Sequence, residues 1–191
     1  MTHKGTVRLE TERLILRCFV KSDVEAIFNN WASDPEVAKF LWSPPHRDIA
    51  VTRKYNKERL RNYKRDNYYD WTMELKASGQ IIGNIRVNHQ LEGIQSMEIG
   101  CVMGRSWWNY GYSTEALRGL IKFLFEEVGV NRIESYNDPR NPGSGRVLQK
   151  AGLIYEGTLR QADWNNQGVS DKACYAILAS EYSGRKEKPN A

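Results

Sequence analysis

Residues 113–127 constrain the fold more than any other stretch. Ala116, Leu117, Leu120, Ile121, Leu124, Phe125 and Val128 recur at helical spacing and form one apolar stripe. A helix striped on one side must be laid on an apolar surface. Two β-like runs flank it, "SMEIGCVMG" (96–104) and "RIESYN" (132–137). The helix is entered through "SWWNYGYSTEAL" (106–117), where Gly111 stands among bulky aromatics. Two readings of that junction compete. Ser113 can be an ordinary N-cap with Glu115 in the first turn. Alternatively, Gly111 lets the loop turn its amides toward an anion, which the positive end of the helix also attracts. The spacing G-x-G-x-x-G is absent, so a dinucleotide fingerprint is excluded.

Elsewhere the periodicity switches several times. "RLILRCF" (13–19) alternates and reads as a strand. Ser22 and Glu25 have capping-box spacing, which predicts a helix there. Asp34 and Pro35 read as an N-cap and first helical residue of a short helix through Trp42, stopped by Pro44 and Pro45. A longer, very polar helix is expected over 48–65. "YDWTMELKA" and "QIIGNIRVNHQ" read as strands joined at Ser78 and Gly79. "SGRVLQKAG" is a short helix ended by Gly152. "LIYEGTLRQADW" and "DKACYAILASEY" close the pattern as two strands around Asn166, Gln167 and Gly168. The order is strand, helices, three strands, helix, strand, helix, two strands. It predicts one α/β domain with a mixed sheet over 7–182. The polar tail 183–191 is expected to be disordered.

A chain of 191 residues is long enough for one domain with a real core. No apolar run can span a bilayer, and residues 1–10 lack the apolar centre of a signal peptide. A cytoplasmic protein with no membrane partner is therefore expected. Cys18, Cys101 and Cys174 lie far apart in apolar runs and are expected as buried reduced thiols. Neither they nor His3, His46 and His89 have metal-ligand spacing, so no metal is expected. The net charge of +5 suits an anionic ligand or a weak affinity for nucleic acid. Residues 53–66 hold seven basic and two acidic side chains. They read as a solvated helix face, or as an RNA contact with Tyr55 and Tyr63 stacking on bases. Trp31, Trp42 and Trp71 are either core or the lining of a groove.

In order and spacing, "LETERLILR", "EIG", "GYSTEAL", "NRIES", "NPGSGRVLQKAGLIYEG" and "LRQADW" resemble the GNAT superfamily of acyl-CoA-dependent N-acetyltransferases. Within it they are most like the Rim-type ribosomal-protein N-terminal acetyltransferases. The resemblance covers roughly residues 9–182. It implies a mixed, mostly antiparallel central sheet flanked by helices, with acetyl-CoA as co-substrate. It places the backbone of Ile99, Gly100, Cys101 and Val102 along the pantetheine arm. It places the amides of Asn109, Tyr110, Gly111, Tyr112, Ser113 and Thr114 around the pyrophosphate, and Asn141 and Ser144 beside the arm and its thiol. Arg146 either reaches a phosphate or is an exposed helix charge.

Three positions depart from the family pattern. Trp108 stands in place of Gln or Arg, and Ser113 in place of Gly or Ala. Leu148 stands where many members carry a tyrosine acid. Ser144 is then the candidate acid. Asp163 matches the carboxylate base of the Rim-type pattern, with Glu98 as the other candidate. Each carboxylate has a plain alternative: a cross-strand ion pair for Glu98, and a cap of the turn at 164–166 for Asp163. The activity implied is direct transfer of acetyl to a primary amine in a ternary complex. The acceptor implied is a ribosomal or other protein N-terminus. A polycationic aminoglycoside fits less well, because it calls for a dense acidic cleft and the region between the first strands is basic. The competing expectation is a non-catalytic module of the same fold that binds RNA or a protein partner. A monomer or homodimer is expected in either case.

Overall fold

The computed structural model describes residues 1–186, with side chains through residue 183. Eight strands make one sheet: β1 (Leu9–Glu10), β2 (Leu14–Arg17), β3 (Asp70–Leu75), β4 (Ile81–Leu91), β5 (Ser96–Met103), β6 (Arg132–Asn137), β7 (Ile154–Asn165) and β8 (Gly168–Leu178). Their spatial order is β1-β2-β3-β4-β5-β6-β8-β7. Every neighbouring pair is antiparallel except β5 with β6. Helices α1 (Val24–Ile27), α2 (Pro35–Ala38) and α3 (Ile49–Asn62) lie between β2 and β3 in the chain. Helix α4 (Tyr112–Phe123) connects β5 to β6, α5 (Pro142–Ala151) connects β6 to β7, and α6 (Ala179–Lys186) follows β8. The expected α/β class with a mixed, mostly antiparallel sheet is the one that forms.

The stripe on α4 explains the one parallel pair. A helical crossover is what lets β6 run in the direction of β5. Ala116, Leu117, Leu120, Ile121 and Leu124 share one buried cluster with Leu14, Leu16, Trp71, Met73, Ile85, Met97 and Ile99 of the sheet. Phe123 meets the rings of Tyr69 and Trp71 edge-on. Each large side chain buried this way contributes about 1.5–3 kcal/mol. A smaller cluster of Phe19, Ile27, Trp31 and Ile81 seats the early helices.

The parallel pairing is short. Only Ser96 with Arg132, Met97 with Ile133 and Glu98 with Glu134 are matched. Beyond them β5 stays with β4 as far as Met103, while β6 stays with β8 as far as Asn137. The two strands therefore part and leave a wedge. At its vertex the Ser135 hydroxyl donates to the Ile99 carbonyl at 2.8 Å.

Several local expectations are corrected. Ser22 and Glu25 make no cap. A 3₁₀ turn, Lys21–Asp23, opens the first helical region, and the Asp23 carboxylate, paired with Arg17, accepts the Val20 N–H at 2.9 Å. Asp34 and Pro35 do cap α2, but the helix stops at Ala38 rather than Trp42. The carbonyls of Ala38 and Leu41 there accept the Asn166 side chain. The last strand ends at Leu178 instead of running to 182, because the Glu181 carboxylate takes the Leu178 N–H and α6 starts. That helix enters the segment expected as a tail, and residues 187–191 lie outside the described residues. The three cysteines are free but half-buried, not fully buried.

Candidate active site

The turn from β5 into α4 is built from backbone. Asn109 and Gly111 both have left-handed conformations, with φ 68° and 83°. Asn tolerates this region and glycine adopts it freely. Gly111 is the N-cap residue of α4, and no side chain caps this helix. The expected Ser113 cap is thus not made, because the helix starts one residue earlier, at Tyr112. Among the described residues the amides of Tyr112, Ser113 and Thr114 have no acceptor, whereas the Glu115 N–H is taken by the Gly111 carbonyl. Alternating backbone of this kind with free helix-end amides is an anion cradle.

The cradle is held from outside by residues that sequence reasoning missed. Arg13 donates to the Tyr110 carbonyl at 3.1 Å and to Glu115 Oε2 at 2.7 Å, and its guanidinium lies 4.5 Å from the Tyr112 ring centroid. Glu115 also accepts the Thr11 hydroxyl at 2.6 Å and the Arg13 N–H at 2.7 Å. Burial works to raise the Glu115 pKa, but these donors outweigh it and hold the carboxyl below its ordinary range. Tyr110 stacks on Tyr112 at 5.9 Å and projects to solvent; alone among the expected cofactor residues it does not line the cleft. Trp108 is tied down by its own indole, which donates to the Met103 carbonyl at 2.8 Å.

The wedge continues from this turn. Ile99, Gly100, Cys101 and Val102 line one side of it. Burial of the Cys101 sulfur pushes its thiol up to about 12, against a small opposing effect of the Ser113 hydroxyl. On the other side, α5 begins at Pro142 with Asn141 as N-cap. Asn141 Oδ1 accepts the Ser144 N–H at 3.3 Å, so half of that side chain serves the helix. The Ser144 hydroxyl lines the cleft and has no partner among the described residues. Arg146 is exposed at the rim, and Leu148 is buried core.

The third part of the cleft is built from side chains. Among the described residues Glu98 forms no ion pair; it accepts from Asn88 Nδ2 at 3.1 Å, and Asn88 Oδ1 accepts from Arg86 Nε at 2.7 Å. Gly100 makes room for this chain of contacts, since a Cβ there would fall 2.7 Å from Asn88 Nδ2. The turn after β7 is capped not by Asp163 but by Asn165, whose Oδ1 accepts the Gln167 N–H at 2.8 Å, while Asp163 Oδ1 accepts the N–H of its neighbour in the strand, Trp164, at 2.8 Å. The same oxygen accepts the Trp42 indole at 3.0 Å. Among the described residues nothing donates to Oδ2. Asp138 is buried and binds Arg140, which holds its carboxyl below the usual range.

The helix expected over 48–65 does not present one solvated basic face. Arg59 lies over the Phe19 ring and pairs with buried Asp70 at 2.7 Å. Tyr63 donates to the Asp70 carbonyl and accepts the Phe19 N–H, so it cannot stack on a base. Tyr55 stacks on His46, which is also bonded to Thr52. Of the three tryptophans left open, Trp71 is core, Trp31 is buried but lines the cleft, and Trp42 is half-exposed on its wall.

One cleft of about 1470 Å³ joins the cradle, the wedge and the side-chain end. Ser144, Asp163 and Glu98 all line it. Residues 13–154 match the model of the acetyltransferase (GNAT) domain. The chain belongs to the GNAT acetyltransferase family. It is 29% identical over 177 residues to the uncharacterized N-acetyltransferase p20 of Bacillus licheniformis, covering 92% of this chain and 98% of that one. A shorter match, 29% over 99 residues, is to the ribosomal-protein-serine acetyltransferase of Escherichia coli, covering 52% and 55% of the two chains. The GNAT-family acetyltransferase structure from Bacillus anthracis superposes with a TM-score of 0.81 at 28% identity, over 92% of this chain and all of that one. This GNAT protein is thus an acetyl-CoA-dependent N-acetyltransferase. Among its described residues no helix is long and apolar enough to cross a membrane.

Proposed function

We propose that this enzyme acetylates the amino terminus of a protein or peptide by direct attack in a ternary complex. One observation carries the proposal. Among the described residues the amides of 112–114, the Ser144 hydroxyl and Asp163 Oδ2 have no hydrogen-bond partner, and the residues that carry them line the same cleft. Acetyl-CoA supplies the acetyl group as a thioester. The cradle amides at 112–114 suit its phosphates, and the open edge of β5 suits its extended arm. An acceptor ammonium must lose a proton before it can attack, and Asp163 takes it, directly or through one water. Glu98, which also lines the cleft and is steadied by Asn88, is the second candidate for the base. A β5 amide opposes the charge that develops on the thioester oxygen, and Ser144 donates a proton to the leaving sulfur.

The choice of acceptor rests on the side-chain end. Arg86 stands there without a carboxylate partner among the described residues, which disfavours a polycation, and the wall is aromatic. The relative named for a ribosomal protein serine points the same way. We also place residues 7–182 in one catalytic domain, in the cytoplasm, as a monomer or homodimer. A panel of amines assayed by thiol release tests the reading. Peptides should be acetylated at their amino termini and aminoglycosides should not. Efficient turnover of an aminoglycoside, with none on peptides, overturns it.

A further inference from the structure

The loop after α2 and the turn after β7 are 123 residues apart in sequence at their closest contact, yet several hydrogen bonds tie them together. Asn166 Nδ2 donates to the carbonyls of Ala38, Leu41 and Ser43 at 2.8, 3.0 and 2.9 Å. The Asn166 N–H also donates to the Leu41 carbonyl, at 3.2 Å. One asparagine therefore fixes the path of residues 38–43. Trp42, on that path, sends its indole N–H to Asp163 Oδ1 at 3.0 Å.

The strand beneath is fixed as well. Its register with β8 shifts between Leu159 and Asp163, with Gln161 left-handed at φ 50° and its N–H held by Asp171. Bulges of this kind re-aim a side chain. Two residues beyond Asp163, buried Asn165 donates to Asp138 Oδ2 at 2.8 Å. With Trp42 and the Trp164 N–H both on Oδ1, the carboxylate is held in rotation, and Oδ2, on a residue that lines the cleft, has no partner among the described residues.

We infer that Trp42 is a positioning residue that aims Asp163 Oδ2 at the acceptor amine, and that Asn166 positions Trp42. The inference rests on the reading of Asp163 as the base. It assigns the acceptor wall a role beyond shape: an indole N–H selects which carboxylate oxygen takes the proton.

The test is a double-mutant cycle on the full-length enzyme, with an accepted peptide as substrate. Trp42→Phe keeps an aromatic ring and removes the N–H. It should lower kcat about tenfold, the scale of one lost hydrogen bond to a charged group. The KM for acetyl-CoA should stay unchanged. In an Asp163→Asn background the same substitution should change kcat by less than about twofold, because there is no longer a base to aim. Asn166→Ala should follow the same pattern. Equal losses in both backgrounds, or an unaltered kcat in Trp42→Phe, overturn the inference and leave the base reading standing. Wild-type kcat in Asp163→Asn overturns the base reading, and the inference falls with it.

Discussion

At the end of the cleft proposed for the acyl donor, the groups available to a ligand are main-chain amides from one run of chain, 109–114, whose shape is set by two left-handed residues. At the acceptor end they are side chains drawn from residues 42, 86, 88, 98 and 163, which only the folded sheet brings together. Most substitutions delete a side chain and leave the amide; only proline removes an N–H. The donor end is therefore sensitive to backbone conformation and indifferent to most chemistry, while the acceptor end is the reverse.

The contrast is sharpest at Asp163. Asp163→Asn preserves shape and removes the proton acceptor, so kcat should fall by about two to four powers of ten. Calorimetric affinity for acetyl-CoA should not change. A matching loss of acetyl-CoA affinity would show that the two ends are not separate.

Next in size is Gly111→Val. A β-branched residue at φ 83° costs about 1–2 kcal/mol in strain, which reshapes the turn even though a Cβ there would meet only Arg13 Nη2, at 3.5 Å. The thermal shift that saturating acetyl-CoA gives the wild type should disappear. A normal shift in this variant would mean that the ligand does not use this turn.

Glu115 links the donor end to pH. Its folded-state pKa is depressed, so its contribution is complete above the ordinary carboxylate value and is lost as pH falls through the lower, folded value. Glu115→Gln should therefore lower the melting temperature near neutrality by about 2–4 °C. That corresponds to roughly 1 kcal/mol, a modest figure because Arg13 is partly exposed. The gap from wild type should close as pH drops below about 4. A constant gap at all pH values would mean that the loss is one of packing.

The smallest effect is expected for Ser144→Ala. Water can protonate a departing thiolate, so kcat should fall less than about tenfold and the change should be absent from binding. A loss as large as that of Asp163→Asn would make Ser144 the dominant group and reverse the ranking of the two walls.

The same contrast explains what was legible in the sequence. The α4 stripe, the Asp34–Pro35 cap, the Ser78–Gly79 hairpin and the Gly152 stop are local patterns, and each stands where its spacing puts it. The cradle is local too, and Gly111 announces it. The Arg13–Glu115 clamp, whose partners are separated by 102 positions, leaves no periodic trace. Neither does the Trp42–Asp163 contact, although Asp163 itself could be named from its place in a family pattern. The failures have the same origin. Ser22 and Glu25 fit a capping box, but Arg17 had already drawn Asp23 into that place. The run at 171–182 fits one strand, but the Glu181 side chain competes for the last ladder amide. The run at 53–66 looks uniformly basic, but one of its arginines serves a buried aspartate. In each case a tertiary partner outbid a local preference.

Five of the six tryptophans border the cleft: Trp31, Trp42 and Trp164 toward the acceptor, Trp107 and Trp108 toward the donor; only Trp71 is sealed in the core. The ultraviolet emission of this enzyme is consequently almost a portrait of its own binding site. A bound molecule that dries the indoles or touches them shifts colour or quenches light.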